Sequence, residues 1–165
     1  MMQNRMAVLR WLGYSVLLLL AIVLQTMVFP RIDAVPNPRL AIAAVVCIAV
    51  FSGVTGGAAA GFAGGMLCDA LLGTEAYFSL SMMAAGAVTG YLCGRVFQRA
   101  FWPAVFMSAA SVVVIESAFL LFYQVAVRGI PLSAFISVGL PAVIASIVCT
   151  PPVYPLFRAV SKLGD

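Results

Sequence analysis

Residues 53–73 read GVTGGAAAGFAGGMLCDALLG. Gly53, Gly57, Gly61 and Gly65 recur at every fourth position; Asp69 takes the next step and Gly73 the one after. On a helix of about 3.6 residues per turn, such a series forms a slowly winding ridge. Glycine costs about 1 kcal/mol relative to alanine in a helix interior. A carboxylate near a bilayer's centre adds roughly 2.5–3.5 kcal/mol. A segment weakened in both ways is not stable alone in lipid. Small residues at this spacing let a neighbouring backbone come close, so the segment is expected at the centre of a helix bundle.

The flanking sequence supplies the bundle. Of 165 residues, 64% are hydrophobic and only 8% are charged, whereas a soluble domain carries about 25% charged residues. Such a chain cannot cover a water-exposed surface, and an all-α polytopic membrane domain is expected. Each bilayer crossing needs about 20 apolar residues. Six spans are predicted, at about 11–29, 40–54, 55–72, 78–94, 101–127 and 132–152, in a single integral membrane domain over 1–165. The run Pro36-Asn37-Pro38-Arg39 is a loop, because proline cannot continue a helix. The junction of segments two and three has only Ser52 to Gly57 to mark it, so a tight turn and one long helix both fit there. Charge favours the turn. With six spans, Arg5, Arg10, Arg95, Arg99, Arg158 and Lys162 share one side, against Arg31, Arg39 and Arg128 on the other. The richer side is expected in the cytoplasm, with both termini. The first span has a basic flank like a signal peptide, yet Val28-Phe29-Pro30 is a poor cleavage site, and it reads as retained.

The net charge of +4 does not imply a nucleic-acid partner, because the basic residues are spread between apolar runs. The four cysteines, Cys47, Cys68, Cys93 and Cys149, are isolated in apolar surroundings and read as small hydrophobes, not as metal ligands. With no histidine, no Gly-x-Ser-x-Gly elbow, no phosphate-cradling loop and no second aspartate to pair with Asp69, the chain reads as a non-enzyme without cofactor or metal. Gly86, Gly90 and Gly94 repeat the small-residue device in segment four, which suggests a close hairpin with segment three. Asp69 has two readings: a carboxylate that reaches interfacial water or caps Thr74 and nearby backbone, or a hydrogen bond to another helix or a partner contact. Glu116 sits near the middle of segment five and is expected to face the bundle interior without a basic residue at its depth, protonated through desolvation and serving an interhelical bond in preference to a proton or ligand site. Gln25 and Gln124 are expected at the interface.

The run Gly61-Phe62-Ala63-Gly64-Gly65-Met66-Leu67-Cys68-Asp69-Ala70-Leu71-Leu72-Gly73, followed by Leu80 and by Gly90-Tyr91-Leu92-Cys93-Gly94, resembles the central region of MreD, the rod shape-determining membrane protein family. Ala76-Tyr77 and Met66 stand where that family commonly has glycine-leucine and leucine. The resemblance implies a six-helix fold like that of the substrate-binding S components of energy-coupling-factor transporters, in the bacterial cytoplasmic membrane. It implies a non-catalytic scaffold of the cell-elongation machinery that binds the bitopic protein MreC. Through MreC it would link MreB filaments to the RodA glycosyltransferase and a penicillin-binding transpeptidase, in support of cell shape and peptidoglycan synthesis. By the same resemblance Gly61, Gly65, Asp69, Gly73, Gly90, Tyr91 and Gly94 are assigned to helix packing and partner contact, and the four-residue spacing adds Gly57 and Gly86 to them. The main alternative is a vitamin-transporter S component. Against it, the first segment carries mostly Leu, Ile and Val, with Ala21 as its only small apolar residue in place of an Ala-x-x-x-Ala coupling surface. A proton-coupled carrier using Asp69 and Glu116 is disfavoured by the small polar inventory.

Overall fold

A computed structural model of the chain describes residues 2–28, 39–74, 76–95, 101–119 and 140–162. Every regular element among them is helical: α1 (Met2–Val23), which ends in a π turn at Leu24–Val28, α2 (Leu40–Leu72), α3 (Tyr77–Arg95), α4 (Phe101–Phe119) and α5 (Leu140–Lys162). Among the described residues, four stretches are long and apolar enough to cross a membrane: Val8–Val28, Leu40–Leu72, Trp102–Phe119 and Val143–Lys162. In α3, 19 residues long, serines, a threonine and glycines dilute the apolar character.

Helix α2 is the organising element and touches every other helix. Its 33 residues are interrupted at Gly53, whose φ of 77° and ψ of −165° are not helical. Beyond that point the chain folds back. A Cβ placed on Gly57 would fall closer than 3.0 Å to the Ala49 side chain, although eight residues of straight helix would separate the two by about 12 Å. The choice between a turn and one long helix is therefore settled locally at Gly53. The rest of the 52–57 stretch stays helical.

The centre of the bundle is the first arm of α2. All residues from Leu40 to Val50 are buried, as suits a helix that is apolar on every side. This corrects the sequence expectation, which placed the glycine-rich segment three at the centre. That second arm exposes Phe62, Met66, Leu67 and Leu71 along one face. The first arm, at about 20 Å, is shorter than the roughly 30 Å hydrocarbon layer, but its neighbours and not lipid surround it. Helix α1 lies against it through a stripe of Tyr14, Leu18, Ala21, Ile22 and Gln25, and turns Leu12, Val16, Leu19 and Val23 outward.

Helix boundaries differ from expectation mainly at α5. The sixth span was expected to stop near Pro152; the helix instead runs through Pro151, Pro152 and Pro155 to Lys162. Each interior proline removes an amide donor at a cost of about 3 kcal/mol. The helix continues because Tyr154 and Phe157 are buried. Phe157 stacks on Tyr14 with ring centroids 6.1 Å apart, and Tyr154 meets Phe51 at 5.5 Å. Residues 120–127 of the fifth expected span, 132–139 of the sixth, Phe29, and Gln124 lie outside the described residues.

Candidate functional site

The glycine ridge is filled by the next helix of the same chain. The second arm of α2 and α3 run antiparallel in a fixed register. Gly65 faces Phe78 and Ser79, Gly61 faces Met82 and Met83, Gly57 faces Gly86, and Gly53 faces Gly90. At each level a Cβ on Gly57, Gly61, Gly65, Gly86 or Gly90 would come closer than 3.0 Å to backbone atoms of the opposing helix. The hairpin is thus backbone against backbone, the closest packing that small residues permit. An open crevice waiting for another protein's helix is not what this ridge forms. Gly64 faces α1 instead, against Leu18. Gly94 faces open space, and Tyr91 is half exposed with the Arg95 guanidinium 5.3 Å from its ring centroid, so neither belongs to the ridge.

One further step along the ridge places Asp69 beside the turn, where it serves as a cap for α3. Its Oδ1 accepts from the Thr74 hydroxyl at 2.6 Å and the Phe78 amide at 2.9 Å. Its Oδ2 accepts from the Ser79 amide at 2.8 Å and the Ser79 hydroxyl. The first amides of a helix lack intrahelical acceptors, and a carboxylate there also meets the positive end of the helix dipole. Gly73 closes the preceding helix in the left-handed conformation (φ 67°), its amide donating to the Asp69 carbonyl at 2.8 Å. The aspartate and both flanking glycine sets therefore build one unit, a tight hairpin.

A second polar cluster at the same end corrects the reading of Glu116. Its carboxylate forms an ion pair with Arg39, both side chains being largely buried (5% and 16% exposed). The sequence expectation held that no basic residue reached this depth. Arg39, immediately before α2, does so because the first arm of α2 begins inside the bundle. The Arg39 guanidinium also lies 5.4 Å from the Phe78 ring centroid, and its amide donates to the Ser146 hydroxyl at 2.8 Å. One residue thus joins α2 to α3, α4 and α5. Gln25, expected at the interface, is 2% exposed and accepts from the Ala41 amide at 3.0 Å, capping α2. The Tyr77 hydroxyl donates to the Ile115 carbonyl at 2.9 Å, and Tyr77, Phe78 and Phe119 form an aromatic group with centroid separations of 5.3–5.4 Å.

Sequence reasoning missed Arg39, Tyr77, Ser79 and Ser146. The available signal was Glu116 itself: a carboxylate at that depth demands a partner, and Arg39 adjoins an apolar run that offers it no lipid-facing role. Chemically the arrangement is a set of helix caps and one ion pair that fixes one end of the bundle. A separate groove of about 350 Å³ lies between α3 and α4, lined mainly by small or apolar residues including Ser81, Ala84, Ala85, Ala110, Ser111 and Ala118. No protein-family model, curated protein or solved structure significantly matches the chain.

Proposed function

We propose that this protein is a non-catalytic six-span membrane scaffold of the MreD type, which binds an MreC-like bitopic partner and through it serves the cell-elongation complex. The observation that carries the reading is the correspondence between motif and hairpin. Of the residues through which the chain resembles that family, Gly61, Gly65, Asp69, Gly73 and Gly90 belong to one backbone-close unit, whereas Tyr91 and Gly94 lie off it. The reversal at Gly53 supports counting the two arms of α2 as separate spans, and the bias of basic residues toward the side of both termini favours the cytoplasm for them. Because α3 already covers the ridge, the partner must use another face, and the small-residue groove between α3 and α4 is compatible with an incoming helix.

The test is affinity purification of the tagged full chain from native membranes. Recovery of an MreC-like protein, with MreB, RodA and a transpeptidase at lower yield, is the expected outcome. Recovery of an ATPase and a coupling subunit would replace this reading with that of a transporter S component. Labelling that places the two termini on opposite faces would overturn the six-span arrangement.

A further inference from the structure

The charges of this protein are segregated along the bundle. Among the described residues the carboxylates are Asp69 and Glu116, both at the end where α2 and α3 begin. The opposite end carries Arg10, Arg95, Arg158 and Lys162 and no described carboxylate. There α1 and α5 meet in antiparallel register: Tyr14 stacks on Phe157, and Gly13 lies against Val160. Continued by one turn, this register brings Arg10 to the last described turn of α5, which carries Ser161 and Lys162. The Arg10 Nε is buried and has no hydrogen-bond partner. A buried guanidinium nitrogen without an acceptor, at an end rich in basic residues, favours an anion there.

Next to this position an apolar groove of about 210 Å³ separates α1 from the second arm of α2. It is lined by Trp11, Tyr14, Leu18, Ile48, Ala60 and Ala63 among others. Trp11, the residue after Arg10, is 39% exposed, the amphipathic side chain favoured at a membrane–water boundary. We infer that this end of the bundle seats one anionic phospholipid, with its headgroup phosphate on Arg10 and Lys162 and one acyl chain along the α1–α2 groove. The sign of the headgroup follows from the cations at this end, which no described carboxylate balances. The acyl chain follows from the apolar lining, which an acidic peptide would leave unfilled. The inference is independent of the partner proposed above and needs only a membrane-embedded bundle.

Native mass spectrometry of the delipidated full chain, titrated with phosphatidylglycerol or phosphatidylcholine of identical acyl chains, provides the test. Phosphatidylglycerol is expected to be retained at least about fivefold more strongly, with Arg10→Gln and Lys162→Gln each lowering its affinity about fivefold. Ala63→Phe, at an exposed position on the groove, is expected to weaken both lipids. Lys162 is also exposed, so its substitution remains decisive if Arg10→Gln fails to fold. Equal retention of the two lipids, unchanged binding in Lys162→Gln, or a bound acidic peptide that survives Ala63→Phe would overturn the inference.

Discussion

Asp69 holds Ser79 twice, accepting from its amide at 2.8 Å through the same Oδ2 that accepts from its hydroxyl. With Thr74 and Phe78 the carboxylate has four donors, so a residue at the end of one helix terminates the next. Asp69→Ala is expected to lower stability by about 2 kcal/mol or more, since a cap alone contributes about 1 kcal/mol and bonds to a charged acceptor more. Asp69→Asn retains acceptor capacity on one oxygen and is expected to lose less. Thermal unfolding of the detergent-solubilised protein measures both. Equal stability of all three proteins would remove the capping role.

The close approach of Gly61 to Met82 separates two kinds of glycine. Gly61→Ala forces a methyl group into the α3 backbone and is expected to destabilise by about 1–3 kcal/mol, as overpacking does. Gly94→Ala, which meets nothing within 4 Å, is expected to be neutral or slightly stabilising through helix propensity. The same unfolding assay compares them. Similar effects at the two positions would mean that spacing, not contact, governs these residues.

The spacing of Gly57, Gly61 and Gly65 was readable because a hairpin between adjacent segments depends on local sequence. The Thr74 bond to Asp69, five residues apart, was readable for the same reason. Arg39 was not: its amide's partner Ser146 is 107 residues away, and nothing local encodes that meeting. The wholly apolar run from Leu40 to Val50 did announce the centre of the bundle, since a helix without a polar face is buried. The conspicuous glycines next to it drew attention to the wrong arm. In α5, Pro151 and Pro152 read as a stop, yet burial of Tyr154 and Phe157 outweighs the local cost.

The Arg39–Glu116 pair joins the start of α2 to α4 with both charges largely out of water. Removing one partner strands the other, so Glu116→Gln and Arg39→Gln are each expected to cost about 3–5 kcal/mol. The double variant Arg39→Met/Glu116→Leu removes both charges and is expected to recover a large part of that loss. A double-mutant cycle on unfolding free energies reads the coupling directly. Additive single effects would show that the two side chains do not stabilise one another.

Gly53 decides whether α2 is bent or straight. A straight helix over its 33 residues would be about 50 Å long, well beyond the roughly 30 Å hydrocarbon layer. It would also part Ala49 from Gly57 and carry Gly90 away from its backbone contact at Gly53. The break sits in a region of φ and ψ that glycine alone occupies without strain. No atom lies within 4 Å of a Cβ added there, so the penalty of Gly53→Ala is purely conformational and expected at about 1–3 kcal/mol. Because Gly90→Ala would intrude on the same turn from α3, the double variant is expected to cost less than the sum of the single ones. Unfolding midpoints of the wild type, the two single variants and the double variant check this; an undisturbed Gly53→Ala protein would mean that the chain reverses by other means.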